Sequence, residues 1–443
     1  MTFSTEQLAR YVQGSLQGDS NVQCNGASID SRSCEIGNVF FALEGEHADG
    51  HQFVKQAFEA GCAVVVAERE IEVGAPVVLV ENARSALFEL ALQRRKELSV
   101  TKVISVTGSV GKTTTKNLIA SLLGEHVVAS KKSFNNDLGV PLTILDAEHA
   151  EFLVAEVGAN DVGEIEPLAN LVQPDIAVLT AIGLAHLEGF GDYETVLTEK
   201  VKLLQALPPD GVAIVPESID LSSFSIAASI CTVGTSPEAD VQIEIGTNDL
   251  GYATLRIGND EVVLSILGKH NAMNAALALV AVGYARPECQ RRHLMQEISC
   301  VEAPSGRLQI HECNGITFLD DSYNANPTSM QSALELFGEI LCGRKVLILG
   351  DMLELGEHSY AEHQTLSASI NTAQADVVIL VGDYMKIPSR SVASIYEPEA
   401  SAEAMVRIAG LLDVGDTVLI KGSRGLKLER IIEMKRQTKV SSS

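Results

Sequence analysis

Residues 102–123, KVISVTGSVGKTTTKNLIASLL, set a lysine and three threonines directly behind two glycines. Glycine lets the main chain turn its N–H groups toward an anion, and a helix opening immediately afterwards adds its positive N-terminal end. Gly108, Ser109, Val110, Gly111, Lys112, Thr113 and Thr114 therefore form a candidate phosphate cradle. Lys112 would reach the outer phosphates, and the Thr113 hydroxyl is placed to ligate Mg²⁺. A full G-x-x-x-x-G-K-[ST] motif would open on a glycine where this chain has Val106. The shortened form occurs more often by chance, so its context has to carry weight. A β-branched run precedes it and helically spaced apolar residues follow, the strand–turn–helix arrangement that the motif requires. A bland reading, a glycine turn with a solvated lysine, explains the loop but not the residues downstream.

A phosphate loop works with a second metal ligand, commonly a carboxylate at the end of a neighbouring strand. FLVAEVGAN offers Glu156 at the end of an apolar run, where an acidic side chain is costly unless paired or bound to metal. DIAVLTAIGLAHLEGFG places His186 just past another strand, at the end where α/β sheets hold ligands. Taken alone, His186 reads as a hydrogen-bonded loop histidine; beside the other two features it becomes a candidate ligand.

The elements that must carry these residues follow from the pattern of apolar runs. From about residue 100, KVISV, FLVAEVGA, DIAVLTAIG and GVAIVPES alternate with helical stretches, which implies a mostly parallel sheet covered by helices. After a Pro/Ser/Gly turn in ISCVEAPSGRLQ a second series begins, with ITFLDDS, KVLILGD, DVVILVG and DTVLIKG. The first hundred residues hold the shorter runs VFFAL, CAVVVAE and APVVLVE and no nucleotide motif. The expected fold class is α/β in three domains, at 1–98, 99–303 and 304–443 of the 443 residues. Lys plus Arg number 33 against 58 Asp plus Glu, a net charge of −25. That field argues against nucleic acid or an anionic membrane as partner, so any phosphate must be held by a local device. Eight cysteines without a C-x-x-C pair indicate neither a zinc cluster nor a disulfide framework. The N-terminal MTFSTEQLARYVQGSL lacks the pattern of a secretory signal, and no run approaches a membrane span. A cytoplasmic protein is expected.

TGSVGKTTT, EVGAN, HLEGFG, GKHNAMN, GR, DDSYNANP and LGDMLELGEHS, in this order, resemble the Mur ligases of bacterial peptidoglycan synthesis. SIDSR, GNVFFALEGEHADGHQFV and FNNDLGVPLTI extend the likeness over almost the whole chain. DDSYNANP and LGDMLELGE are the most specific signals, since folylpolyglutamate synthetases share only the phosphate loop. The resemblance implies a UDP-sugar-binding N-terminal domain, a central ATPase-like domain and a Rossmann-like C-terminal domain that closes over ATP. It is narrowest to the branch that joins D-Ala-D-Ala to UDP-N-acetylmuramoyl-tripeptide. ATP there activates the peptide carboxylate as an acyl phosphate, which the incoming amine attacks, releasing ADP and phosphate. Two Mg²⁺ ions and a monomeric enzyme are part of the expectation.

Carried over residue by residue, Lys112 and Thr113 match the phosphate and Mg²⁺ contacts, Glu156 a metal carboxylate and His186 a second metal ligand. Asn271 and Asn274 match nucleotide-side asparagines, and Arg307 and Asp321 match residues that close over ATP. Within YETVLTEKVKLLQAL the family has a lysine that takes up CO₂ as a carbamate, which bridges toward the second Mg²⁺ and so joins Thr113, Glu156 and His186 as a metal ligand. Lys200 falls at that position, in preference to Lys202 on another face of the helix. Ser31, Arg32 and His51 are candidates for the sugar nucleotide, Asn135 and Asn136 for the sugar-peptide side, and Tyr323, Asn324 and Asn326 for the D-Ala-D-Ala side. Pro216 stands where the family commonly has an asparagine, which puts a nucleotide contact there in doubt, and the chain has no Trp to stack on a base. Two alternatives stay open: another amide ligase of the superfamily, and a non-catalytic relative that only binds.

Overall fold

The computed structural model describes residues 2–45, 48–98, 101–183, 187–341 and 343–437. The N-terminal strands β1 (Ser15–Gln17), β2 (Ala27–Ser28), β3 (Val39–Phe41), β4 (Val64–Ala67) and β5 (Val77–Leu79) form a sheet in the order β1-β5-β4-β3-β2. Both faces of β3 and β4 are covered, which is why VFF and VVVA read as unbroken apolar runs rather than alternating ones. Helix α1 (Ala83–Glu97) follows, started by the Asn82 side chain, which accepts from the Ser85 N–H.

The middle of the chain alternates β6 (Lys102–Thr107), α2 (Lys112–Leu123), β7 (Val127–Ala129), α3 (Gly139–Asp146), β8 (Phe152–Glu156), α4 (Ile165–Val172), β9 (Ile176–Leu179), α5 (Tyr193–Gln205), β10 (Val212–Pro216), β11 (Ser229–Gly234) and β12 (Val241–Gln242). The seven strands pair in the order β12-β11-β10-β9-β6-β8-β7, and every pairing is parallel. The chain leaves β6 toward β7 and β8 on one side, then returns to β9 on the other. A crevice must open at the C-terminal end of a strand where the order reverses in this way, and that end carries the glycine-rich loop.

One feature not expected from the sequence is an antiparallel sheet of β13 (Glu244–Thr247), β14 (Tyr252–Ile257) and β15 (Asp260–Leu267). Its strands are half exposed and rich in polar residues, so they lack the apolar runs that mark the buried strands. The sheet packs on α6 (Lys269–Ala285), which is apolar nearly all round because it is covered on both sides. The C-terminal strands β16 (Gln309–Cys313), β17 (Ile316–Asp321), β18 (Lys345–Gly350), β19 (Val377–Val381), β20 (Ile395–Glu397) and β21 (Thr417–Lys421) pair in the order β16-β17-β21-β18-β19-β20. Only the first pairing is antiparallel. The α/β alternation read from the sequence is the architecture found.

The apolar cores are unequally shared. A single cluster runs from β3, β4 and α1 through α3, α4 and α5 to one face of the central sheet. Leu87 and Leu90 of α1 lie fully inside it, each burial contributing about 1.5–3 kcal/mol. The C-terminal sheet has its own clusters on its two faces, reached from the middle of the chain chiefly through Leu267. The first two sheets are thus welded by a common core, while the third keeps its own clusters, which take in Leu267 from the middle of the chain, and adds polar contacts such as that of Arg307 with Thr113. The seven described cysteines are free thiols, and no described helix is long and apolar enough to cross a membrane.

Helix α7 (Pro327–Glu339) begins with a reciprocal cap. The Asn326 side chain accepts from the Ser329 N–H at 2.8 Å, and the Asn326 N–H donates to the Ser329 hydroxyl at 3.1 Å. Asn326→Ala is expected to lower stability by about 1 kcal/mol, read as a fall in the urea midpoint, while Asn326→Asp, which keeps the acceptor, stays near wild type.

Candidate active site

The loop between β6 and α2 is held open by geometry that only glycine tolerates at two points. Gly108 has φ +144°, and a Cβ there would run into the Thr180 hydroxyl. Gly111, the residue that caps α2, has φ +84°, and its missing Cβ leaves room for the Asn274 side chain. The loop is anchored on the end of β9: the Ser109 N–H donates to Ala181 O at 2.7 Å, and the Ser109 hydroxyl to Gly183 O at 3.0 Å. Val106, in the place of the first motif glycine, is a buried residue of β6 in register with Glu156 and Val178. The turn starts two residues later, so that position needs no glycine.

Lys112 folds back over the loop and donates to Gly108 O at 2.7 Å and Ser109 O at 3.2 Å. Burial pulls its ammonium down to about 8; Glu156 opposes the shift and Arg307 adds to it. Glu156 at the end of β8 is 1% exposed. Its carboxylate accepts from the Thr113 hydroxyl at 2.8 Å and from the Asn135 amide at 2.9 Å. The C-terminal domain arrives at the same point. The Arg307 guanidinium donates to the Thr113 hydroxyl at 2.9 Å and to the Ser133 hydroxyl at 3.1 Å, and lies 4.2 Å from the centre of the Tyr323 ring. Behind it Lys421 pairs with Asp321 at 2.6 Å and donates to Asn324 O at 3.1 Å. Burial pushes the Asp321 carboxyl up against the pull of Lys421 and Arg307.

A cavity of about 370 Å³ joins these groups. It is bordered by Ser109 to Thr114, Glu156, Asn271, Asn274, Arg307, Asp321, Tyr323, Asn324, Asn326 and also Asn135. Residues up to 312 positions apart, from Ser109 to Lys421, therefore face one space, although no sequence periodicity links them. Asn271 and Asn274 are buried at the start of α6, where the Asn274 amide donates to Asn271 Oδ1 at 2.9 Å. A second cavity of about 390 Å³ shares Asn160 with the first and is bordered by Asn136, Asp137, Gly158, Arg84 and Phe88. Asn136 also accepts from the Gly139 N–H at 3.0 Å and so starts α3.

Lys200 borders neither of these cavities. It is 2% exposed, donates to Ala159 O at 3.2 Å and lies 5.3 Å from the Phe190 ring centre. Burial brings its ammonium down to about 7, helped by Lys112 and opposed by Glu199 and Glu164. Lys202 turns instead to Glu199, with an ion pair of 2.6 Å. His186 lies outside the described residues. The N-terminal candidates are not gathered into either cavity. The Ser31 hydroxyl donates to Gln56 at 2.9 Å, and Arg32 is an exposed partner of Asp30 at 2.7 Å. His51 has both ring nitrogens engaged, with Asp49 at 2.6 Å and the Glu68 N–H at 3.2 Å. Pro216 is buried in β10 away from both cavities.

Several groups at the site escaped the sequence reading. Ser133 sits 3.0 Å from the Thr113 hydroxyl, and nothing in SKKSFNN marks it out. Lys421 ends the buried strand in DTVLIKG and was open to detection by the rule that strand C-termini hold ligands. His270 borders the cavity, and burial, with Lys421 and Lys269 nearby, lowers it to about 4, so it is a neutral imidazole at pH 7.

Comparison with known proteins gives these groups a context. Three family domain models match in succession: Mur ligase family, catalytic domain, at residues 23–109; Mur ligase middle domain at 106–282; and Mur ligase, glutamate ligase domain, at 306–424. The UDP-N-acetylmuramoyl-tripeptide–D-alanyl-D-alanine ligase of Bacillus subtilis is 34% identical over 97% of both chains. A crystal structure of MurF from Acinetobacter baumannii superposes with a TM-score of 0.87 at 30% identity, over 99% of each chain. MurF from Thermotoga maritima, solved in complex with ADP, gives 0.80 at 27% identity, over 95% of this chain and 99% of that one. With all three models matched in order and full-length relatives above 30% identity, the chain belongs to the Mur ligase family.

Proposed function

We propose that this protein joins D-alanyl-D-alanine to UDP-N-acetylmuramoyl-tripeptide at the expense of ATP, forming a peptidoglycan precursor, ADP and phosphate. The choice of substrates rests on the full-length relatives that carry this activity. The structural observation that carries the chemistry is the meeting of three segments at one hydroxyl. Thr113 of the phosphate loop touches Glu156 from β8 and Arg307 from the C-terminal domain. A carboxylate is a poor electrophile, and phosphorylation gives it a leaving group. The protein must then align acid, ATP and amine, neutralise the transferring phosphoryl and exclude water.

We assign the loop N–H groups, Lys112 and Arg307 to the phosphates, and Asn271 and Asn274 to the nucleoside side. Lys112 now satisfies itself on loop carbonyls at 2.7 and 3.2 Å, so it has only to swing outward to reach an anion. Tyr323 supports Arg307 by stacking, and Lys421 holds Asp321 and the Asn324 carbonyl at the amine side of the cavity. Among the described residues no three His, Cys, Asp or Glu side chains converge. The donors at hand are a hydroxyl and a carboxylate 2.8 Å apart, hard oxygen ligands that suit Mg²⁺ bound together with substrate phosphates. Thr113 and Glu156 would hold such an ion, which supplies charge neutralisation on the phosphoryl oxygens. Lys200 is our candidate for the carbamate: only a neutral amine adds to CO₂, and a buried lysine drawn down to about 7 is half neutral there. We place the reaction in the cytoplasm, with a monomer sufficient to complete the described cavity.

With ATP, Mg²⁺ and a UDP-tripeptide, phosphate release is expected to depend on D-Ala-D-Ala, with the UDP-pentapeptide identified by mass. Release unaffected by the dipeptide would reject this reading in favour of another amide ligase. Lys112→Met and Glu156→Gln are each expected to lower kcat by about 10²–10³-fold, the usual loss for a charge-stabilising group, without altering the circular dichroism spectrum.

A separate expectation follows from Lys200. In the unfolded chain its pKa is that of an ordinary lysine, 10.5, against about 7 when folded. Between these values the unfolded state holds the extra proton, so stability rises with pH, and the penalty of the buried charge is full below about pH 7. Lys200→Met should therefore abolish ligation yet raise the melting temperature more at pH 6 than at pH 10. An equal shift at both would show that Lys200 is not drawn down by burial.

A further inference from the structure

Lys116 lies one turn beyond Lys112 on the buried side of α2 and is 2% exposed. Its ammonium meets two main-chain carbonyls, Ser130 O at 2.6 Å and Lys132 O at 2.8 Å, rather than a carboxylate. Holding a charge out of water in this way is unfavourable, and an apolar side chain of the same length would fill the space more cheaply. Packing therefore does not account for it; the two carbonyls do. They belong to the segment between β7 and α3, in which Lys132 adopts φ +51°. That left-handed conformation is sparsely populated for a residue with a Cβ and persists where the surroundings enforce it.

The same segment supports both halves of the site. The Ser130 hydroxyl accepts from the Glu156 N–H at 3.0 Å. Ser133 is 3.0 Å from the Thr113 hydroxyl, and the Asn135 amide donates to the Glu156 carboxylate at 2.9 Å. The Asn135 carbonyl accepts from the Gly158 N–H at 2.7 Å, and Asn136 borders the second cavity. The start of this strained turn is held to the sheet and to α3, the Ser130 N–H donating to Val154 O at 3.0 Å and the Thr143 hydroxyl to the Ser130 hydroxyl at 3.3 Å, and Lys116 ties Ser130 and Lys132 to the phosphate-loop helix.

We infer that Lys116 is a positioning residue: its ammonium clamps residues 130–136 to α2 and so sets the distance between the phosphate cradle and the groups that hold Glu156 and the peptide substrate. The inference rests on the ligase activity proposed above. Lys116 touches no reacting atom itself. Its loss should move the acid substrate relative to ATP and leave the D-Ala-D-Ala side, built by the C-terminal domain, where it is.

The test compares Lys116→Met, which keeps the length and removes the donors, with Lys116→Arg, which keeps charge and donors. Kinetic constants are measured for each of the three substrates, with thermal melts to confirm folding. Lys116→Met is expected to lose about 10²-fold in kcat, the scale of an ångström-sized misplacement, and to raise KM for the UDP-tripeptide while KM for D-Ala-D-Ala stays unchanged. Lys116→Arg should recover most of both. A folded Lys116→Met with wild-type kcat and tripeptide KM overturns the inference. So does an equal rise in all three KM values, or an arginine variant as impaired as methionine, since either indicates a general packing role. Should Lys116→Met fail to fold, Lys116→Gln, whose shorter amide reaches one carbonyl, carries the same comparison. Absence of D-Ala-D-Ala-dependent phosphate release in the wild type is a different failure, that of the proposed activity.

Discussion

An ionised carboxylate removed from water at the end of a parallel strand is the constraint around which the rest of this site is arranged. Glu156 is 1% exposed, and an unpaired anion in such a place would cost several kcal/mol. Two groups from different parts of the chain donate to the carboxylate, the Thr113 hydroxyl from the phosphate-loop helix and the Asn135 amide from the turn before α3, while the Ser130 hydroxyl of that same turn accepts from the Glu156 N–H. Lys112 and Lys116 add positive charge from α2, as the pull of Glu156 on both ammonium groups indicates. Satisfying this one side chain therefore requires the cradle, the turn and the sheet to be in register. A buried carboxylate that can be satisfied only when everything is in place makes the geometry of the site a condition of the fold.

The unequal sharing of cores bears on how such a site can work. The N-terminal and central sheets share one apolar cluster, so the surface between them is fixed. The C-terminal sheet keeps separate clusters and reaches the phosphate loop with Arg307, a long side chain braced on Tyr323. Contacts of that kind form and break without disrupting a core. A ligase that passes through an acyl phosphate has to admit large substrates and then shut water out. Two welded layers, with a third joined through Leu267 on one side and through polar contacts at the phosphate loop on the other, suit both requirements.

How much of this was legible in the sequence depended on whether the signal was local. The buried parallel strands declared themselves as apolar runs, and Glu156 stood out because a carboxylate does not belong at the end of one. The choice of Lys200 came from the family resemblance, by its place after HLEGFG; helix geometry added only that Lys202, two residues on, faces another way, and the partners of the two lysines do differ. Ser133 and Lys116 were not legible. Both make contacts between α2 and the same irregular turn, Ser133 from the turn and Lys116 from the helix, across 20 and 14 to 16 positions, and an irregular turn has no periodicity to read. Asn326 has a foot in both camps: it borders the cavity and also caps α7, so a side chain chosen by resemblance for a substrate is already half committed to a helix end. His51 is more fully committed, with both ring nitrogens hydrogen-bonded inside the N-terminal domain. The antiparallel sheet β13–β15 was missed for the reason that makes it useful, since a sheet that covers a helix on one face and meets water on the other carries only half the apolar signal.

The charge of the chain fits the same logic. With a net −25 the molecule as a whole repels a nucleotide, and the attraction must be concentrated where the phosphates bind. Lys112, Lys116 and Arg307 are gathered at one end of α2, and each lysine is held below its ordinary value first by burial and then by the neighbouring arginine. Lys200 is lowered in turn by Lys112. Cations crowded in this way repel one another, and an anion among them would relieve that repulsion. A ligand that bound only the assembled site would also stabilise that assembly by mass action.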